Sequence, residues 1–322
     1  MKYMKIMLVY LISWFSIMGW TMNNWLMIWY LMEVCLVLFV GLCTSGKGYS
    51  VSEVMMSYYL VQSIFSLIML VFILFYMFNL FYLCSFILIL GLMAKMGLFP
   101  LHFWFILICG KLDWISFFTL STLMKLIPLI LLYYLFSTSS FYFVMISSSF
   151  FGSLLGLNNS AIQKTMGFSS MITVCWFIYS MSISLNLFFF YFISYVNMLF
   201  WLVIILNKYS IFYINQFKFN SMNLNMKIMI FIYGLSISGF PPFLGFLVKW
   251  LAINYFWWLG FKFLVSLMIL VSVLSVYFYL QMFFYIMLMF SSWVKWYTNN
   301  FGSFGLLSFL FLMSYIILFM LY

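Results

Sequence analysis

Arginine is absent, alanine occurs three times and proline four times. Only three side chains are acidic, one is histidine, and 5% of residues carry a charge. So few polar groups cannot cover the surface of a water-soluble domain. The longest polar loop, roughly 207–225, is too short to hold a core of its own. Five cysteines (35, 43, 84, 109 and 175) without a C-x-x-C pair, and the single histidine, support neither a structural metal site nor a disulfide framework. Scattered through apolar segments, the cysteines read as small core residues. The net charge of +10 comes from lysines standing mostly singly between apolar runs. That pattern orients helices in a bilayer and does not point to nucleic acid.

What is present is apolar. Hydrophobic residues make up 69% of the chain, with 44 Phe, 28 Met and 24 Tyr. The scarce residues have GC-rich codons and the abundant ones AT-rich codons, which points to an organellar gene. A span needs about 20 residues to cross roughly 30 Å of hydrocarbon. On that measure the sequence predicts an all-α polytopic membrane protein of about eleven transmembrane helices, forming one domain over 1–322. The expected spans are 3–20, 24–43, 53–76, 79–108, 115–136, 140–157, 167–184, 187–206, 227–258, 263–289 and 304–321. The N-terminus, Lys2 and Lys5 before an apolar run, mimics a secretory signal but lacks a small-x-small site before Trp20, so it is taken as the first span.

Charge placement tests the count. If loops alternate sides, one side collects lysines 2, 5, 47, 111, 164, 208, 218, 227 and 295, and the other Lys262 alone. The positive-inside rule then puts the N-terminus inside. Lys95, Lys125, Lys249 and Glu33 are left within spans. A charge at mid-span costs roughly 2.5–3.5 kcal/mol, so it needs partners or water. Such a set is either a polar clamp between helices or a proton path, in which desolvation and a nearby carboxylate pull a lysine in opposite directions.

Two segments are too long for a plain span, and both contain a Pro-bearing break: Gly97-Leu98-Phe99-Pro100 and Gly239-Phe240-Pro241-Pro242. Proline removes a backbone donor, and irregular backbone at membrane depth needs protein or a wet cavity over it. Lys95 and Lys249 beside the breaks are expected to donate to the freed carbonyls. His102 stands about two turns from Lys95 on roughly the same helical face, as a proton relay or as a satisfied interfacial residue. The two breaks lie five helices apart and cross the membrane in opposite directions, the arrangement of inverted repeats. Gly41-Leu42-Cys43-Thr44-Ser45-Gly46-Lys47-Gly48 nearly spells a phosphate-binding loop, but Gly48 stands where Ser or Thr should hold Mg²⁺.

Ala94-Lys95-Met96-Gly97-Leu98-Phe99-Pro100-Leu101-His102-Phe103-Trp104 resembles the signature of the subunit 2 family of NADH dehydrogenase, the antiporter-like membrane subunits of mitochondrial respiratory complex I. So do Gln163-Lys164-Thr165-Met166-Gly167-Phe168-Ser169-Ser170 and the run Gly239 to Trp250. The resemblance implies a multi-pass protein of the mitochondrial inner membrane, its N-terminus on the matrix side, that couples quinone reduction to proton pumping. Its partners would be other membrane-arm and accessory subunits. FMN, Fe–S clusters and ubiquinone are expected on those subunits, with no redox chemistry, cofactor or metal in this chain. Length and span count fit a shortened animal form. By motif Glu33 is the acid paired with Lys95, Lys125 the central lysine, and Lys249 the terminal lysine leading outward. Asn158-Asn159-Ser160 and the Asn- and Lys-rich loop after the eighth span depart from the family pattern, away from these residues. A self-standing cation/proton antiporter and a purely structural subunit remain as alternative readings.

Overall fold

The computed structural model describes residues 2–44, 49–77, 81–135, 139–218, 224–241 and 243–288. The expected span 304–321, Lys47, Lys295, Pro242 and part of the near-phosphate loop lie outside them. The described elements are α1 (Lys2–Thr21), α2 (Trp25–Cys43), α3 (Tyr49–Met77), α4 (Phe81–Met96), α5 (Phe103–Cys109), α6 (Trp114–Ser121), α7 (Leu123–Tyr134), α8 (Ser139–Gly156), α9 (Ile162–Ile183), α10 (Leu185–Lys208), a 3₁₀ turn (Ile214–Lys218), α11 (Leu224–Ser238), α12 (Leu244–Trp258) and α13 (Lys262–Leu288). The first ten expected segments each fall on one of these helices or on a pair. Seven helical stretches among the described residues are long and apolar enough to cross a membrane.

Helix suits long apolar runs in lipid, since each backbone group then bonds within its own segment. Buried hydroxyls follow the same rule. Ser16, Thr119, Ser170 and Ser180 each donate to the carbonyl three residues back, which lets them lie in the interior. Outward positions are large and apolar: Tyr10, Trp14, Val37, Leu67 and Leu107 are all exposed, the reverse of a soluble surface. Trp257, Trp258, Phe261 and Phe263 cluster around Lys262 where α12 turns into α13, as interfacial aromatics do.

The chain divides into two compact units, Met1–Gly152 and Ser153–Tyr322. In the first, α2 packs on α1 and α3, α3 on α4, and α7 on α1, α2 and α4. Lys5 Nζ meets Asp113 Oδ2 at 2.7 Å, bringing the start of α1 and the turn before α6 to one end. In the second, α9 is buried along nearly its whole length. Lipid tails are as apolar as leucine, so contact between such helices depends on close packing. Gly167, Ser169, Ser170, Thr173, Cys175 and Ser180 supply the small side chains for it. The backbone bonds Ile162 N to Phe212 O and Ile214 N to Ser160 O join the turn before α9 to the loop after α10.

Sequence predicts two interrupted spans; the structure has a third interruption. The fifth span parts at Thr122 into α6 and α7. Pro128 has no N–H for the carbonyl four residues earlier, and the Thr122 hydroxyl takes the Phe118 carbonyl at 2.6 Å. Lys125 stands three residues beyond the interruption.

Candidate functional site

Both Pro-bearing breaks close with the same cap. After α4, Gly97 has φ +69°, its N–H reaches Ala94 O at 3.1 Å, and Leu98 N–H reaches Met93 O at 2.9 Å. After α11, Gly239 has φ +80°, its N–H reaches Ser236 O at 3.2 Å, and Phe240 N–H reaches Leu235 O at 3.1 Å. This six-to-one bond with a left-handed glycine is a Schellman cap. The glycines also admit close neighbours. A Cβ on Gly97 would strike Phe105, and one on Gly239 would lie 2.8 Å from Lys249 Nζ.

At the first break, Lys95 in the last turn of α4 points at Glu33 near the middle of α2, with Nζ to Oε1 2.9 Å. The lysine side chain is 4% exposed and the carboxylate 26%. Coulomb attraction across that distance is far stronger here than in water, and it offsets the cost of desolvating both groups. Sequence assigned Lys95 to the freed carbonyls, but other donors take them. Trp104 Nε1 donates to Ala94 O at 3.1 Å and Gln62 Nε2 to Lys95 O at 3.4 Å, which leaves the ammonium to Glu33. Gln62 is legible in the sequence as a lone amide within an apolar span, though it carries no formal charge.

Lys125 is buried, its Nζ 4.7 Å from the centroid of the Phe105 ring. The quadrupole of that ring attracts a cation. The same Phe105 occupies the space that Gly97 leaves open, so the glycine of the break also sets the surroundings of Lys125. Lys95 and Lys125 line one cavity of about 20 Å³, together with Tyr58, Gln62, Trp104 and Phe105. Its lining is mostly apolar with a few polar groups, and it is large enough for a single water.

His102 does not line that cavity. Helix α4 ends before it, so the shared helical face reckoned from an unbroken span does not exist. Its ring packs between Phe99 and Phe103, 2% exposed, with Nδ1 lacking a protein partner.

At the second break the order is reversed. Lys249 lies beyond the break, in α12, and its Nζ donates back to the carbonyl of Ser238, the last residue of α11, at 2.5 Å. Here the expected lysine-to-carbonyl bond is present. Ser275 Oγ donates to the same carbonyl at 3.4 Å, and the Trp176 ring centroid is 5.4 Å from Nζ. The structure therefore brings Glu33, Lys95 and Lys125 together in the first unit and sets Lys249 between a backbone carbonyl and an indole ring in the second.

Residues 79–275 match the family model described as NADH:quinone oxidoreductase/Mrp antiporter, TM. NADH-ubiquinone oxidoreductase chain 2 of Anopheles gambiae is 37% identical over 241 residues, 72% of this chain and 71% of the relative. The protein of that name from Gallus gallus is 27% identical over 247 residues, again 72% and 71%. A chain of Thermus thermophilus respiratory complex I has the same fold, with a TM-score of 0.79 at 17% identity, covering 97% of this chain and 76% of that one. A chain of the Mrp complex from Dietzia sp. DQ12-45-1b gives 0.70 at 15% identity, covering 81% and 56%.

Proposed function

Because the chain belongs to the NADH:quinone oxidoreductase/Mrp antiporter membrane family, we propose that it is the proton-translocating antiporter-like subunit of an NADH:ubiquinone oxidoreductase, complex I. It would lie in the mitochondrial inner membrane with its N-terminus on the matrix side, and other membrane-arm subunits would flank it. NADH oxidation and quinone reduction would take place on those partners, and the eleven-span count belongs to the same reading. The matching glycine caps support an origin in two inverted repeats, each with one broken helix.

The observation that carries the function is that Lys95, paired with Glu33, lines a cavity shared with Lys125. Opening the pair leaves an isolated ammonium at a depth where that form is costly. The proton then leaves Lys95 for the Lys125 amine through the one-water cavity, and Lys95 becomes neutral as Lys125 becomes charged. Lys249 serves as the terminal carrier of the second unit. His102, outside the cavity, acts at most as a side branch of this route. A cation exchanger would need the Glu33 carboxylate free for its ion, and the Lys95 ammonium already occupies it.

Glu33→Gln and Lys95→Met in the assembled complex test the reading. Loss of pumping with intact assembly is the expected result, whereas assembly failure alone would return the charges to a structural role. Native electrophoresis of solubilised membranes tests the partnership, since migration apart from NADH dehydrogenase activity would overturn it.

A further inference from the structure

We propose that the second unit has a proton entry of its own, a polar vestibule at its lysine-bearing end that leads to Lys249 past a hydroxyl gate formed by Tyr279 and Ser169. This rests on the reading of Lys249 as a proton carrier.

The vestibule is a cavity of about 410 Å³ bounded by the turn before α9, the 3₁₀ turn and the inner face of α13. Asn158, Asn159, Ser160, Thr165, Asn215 and Gln281 give it a polar lining with room for several waters. Its mouth is held open by backbone. Gln216 Oε1 accepts from the N–H groups of Phe212 and Tyr213, while Ile162 and Ile214 bond across to Phe212 and Ser160. Lys164 and Lys208 stand at the same end.

From its floor two facing stripes run inward. On α9, Thr165, Ser169 and Thr173 recur every four residues; on α13, Met282, Tyr279 and Ser275 do so every three to four. Such residues share a helix face and step about 5–6 Å per turn, roughly one water. Thr165 Oγ1 meets Met282 Sδ at 3.6 Å, which closes the floor. Behind it Tyr279 OH donates to Ser169 Oγ at 2.8 Å. One turn on, Ser275 Oγ reaches the Ser238 carbonyl that Lys249 also holds. The indole N–H of Trp176, buried beside Lys249, has no protein partner, and a water in this line would satisfy it.

Beside Tyr279 lies an apolar cavity of about 20 Å³ lined by Met166, Leu202, Ile230 and Met282. The flexible Met282 side chain can swing into it and open the floor. Beyond Lys249 the surroundings change. Trp176, Tyr179, Phe256, Val265 and Met268 enclose about 10 Å³ with no polar surface in the lining. The path is polar from the end bearing Lys164 and Lys208 and apolar beyond Lys249. In transfer each hydroxyl releases its proton forward as it takes one from behind. One proton leaves vestibule water, one reaches the Lys249 amine, and no group between changes charge.

The test uses the whole complex in native membrane vesicles. Tyr279→Phe and Thr165→Val, compared with Lys249→Ala, are expected to lose proton pumping without loss of assembled complex. If Lys249→Ala pumps normally, the reading of Lys249 itself falls. If Lys249→Ala loses pumping while Tyr279→Phe and Thr165→Val keep it, the entry path alone falls. Labelling decides the matter should a variant fail to assemble, with a charged, membrane-impermeant thiol reagent and the unsubstituted chain as baseline. Gln281→Cys should react from the face bearing Lys164 and from no other. An unreactive Gln281→Cys, or one labelled from the opposite face, overturns the vestibule.

Discussion

Lys249 donates to the carbonyl of Ser238 across the second helix break, at 2.5 Å, with the Gly239 backbone pressed against its side chain. The ammonium therefore closes the end of α11 besides being a candidate proton carrier. Lys249→Ala is expected to abolish pumping while the complex still assembles, and proton stoichiometry in vesicles checks this. Unchanged stoichiometry would remove Lys249 from the path. The Ser238 carbonyl loses its charged donor and keeps Ser275, so stability should fall by about 1–3 kcal/mol, read as a lower thermal midpoint in detergent.

Glu33 and Lys95 depend on each other. Removing one partner of a buried pair costs about 3–5 kcal/mol because the other charge is left behind. Glu33 is partly exposed, so the cost should fall at the low end of that range. Glu33→Gln and Lys95→Met should each destabilise more than the double variant, as a double-mutant cycle in thermal unfolding would reveal. Additive effects would mean that the pair contributes nothing.

The Phe105 ring over Lys125 is a cation–π contact of roughly 0.5–2 kcal/mol. Phe105→Leu keeps an apolar side chain there and removes the quadrupole. Pumping should slow with NADH oxidation and assembly retained; a variant that pumps at the normal rate would show that the ring only fills space.

At Gly97 two penalties act together, a positive φ and the collision of any Cβ with Phe105. Gly97→Ala should cost more than the roughly 1 kcal/mol of an ordinary helix-cap glycine. It should also disturb Lys125, on the far side of Phe105. Assembly yield and pumping both report the effect, and an alanine variant indistinguishable from the parent would refute the tight cap.

Lys5–Asp113 is the contrasting case, an ion pair open to solvent. Asp113→Asn should change stability by less than about 1 kcal/mol, and that small effect should shrink as salt is added.

Much of this architecture could be read from composition and spacing. Apolar runs of about twenty residues without polar alternation fit helices and not the strands of a closed barrel, so the first ten segments matched helices within a few residues. Gly97 with Pro100 and Gly239 with Pro241 marked the breaks, because a left-handed cap and a missing donor are chemical properties of those residues. Thr122 carried no comparable mark. There a hydroxyl bonds its own helix six residues before Pro128, and Ser170 and Ser180 make such bonds inside an unbroken helix.

By itself the sequence singled out Glu33, Lys95, Lys125 and Lys249 as the charges within apolar segments, since subtraction against the lysine pattern required only the cost of burying a charge. What those charges touch was decided by tertiary structure. Lys95 turned from the broken backbone to Glu33 because Trp104 and Gln62, nearby on one side and a helix away on the other, had already taken the carbonyls of Ala94 and Lys95. Among the described residues Lys249 meets no carboxylate and keeps the carbonyl. A side chain's partner is set by which groups packing brings within about 3 Å, and neither period nor composition encodes that distance.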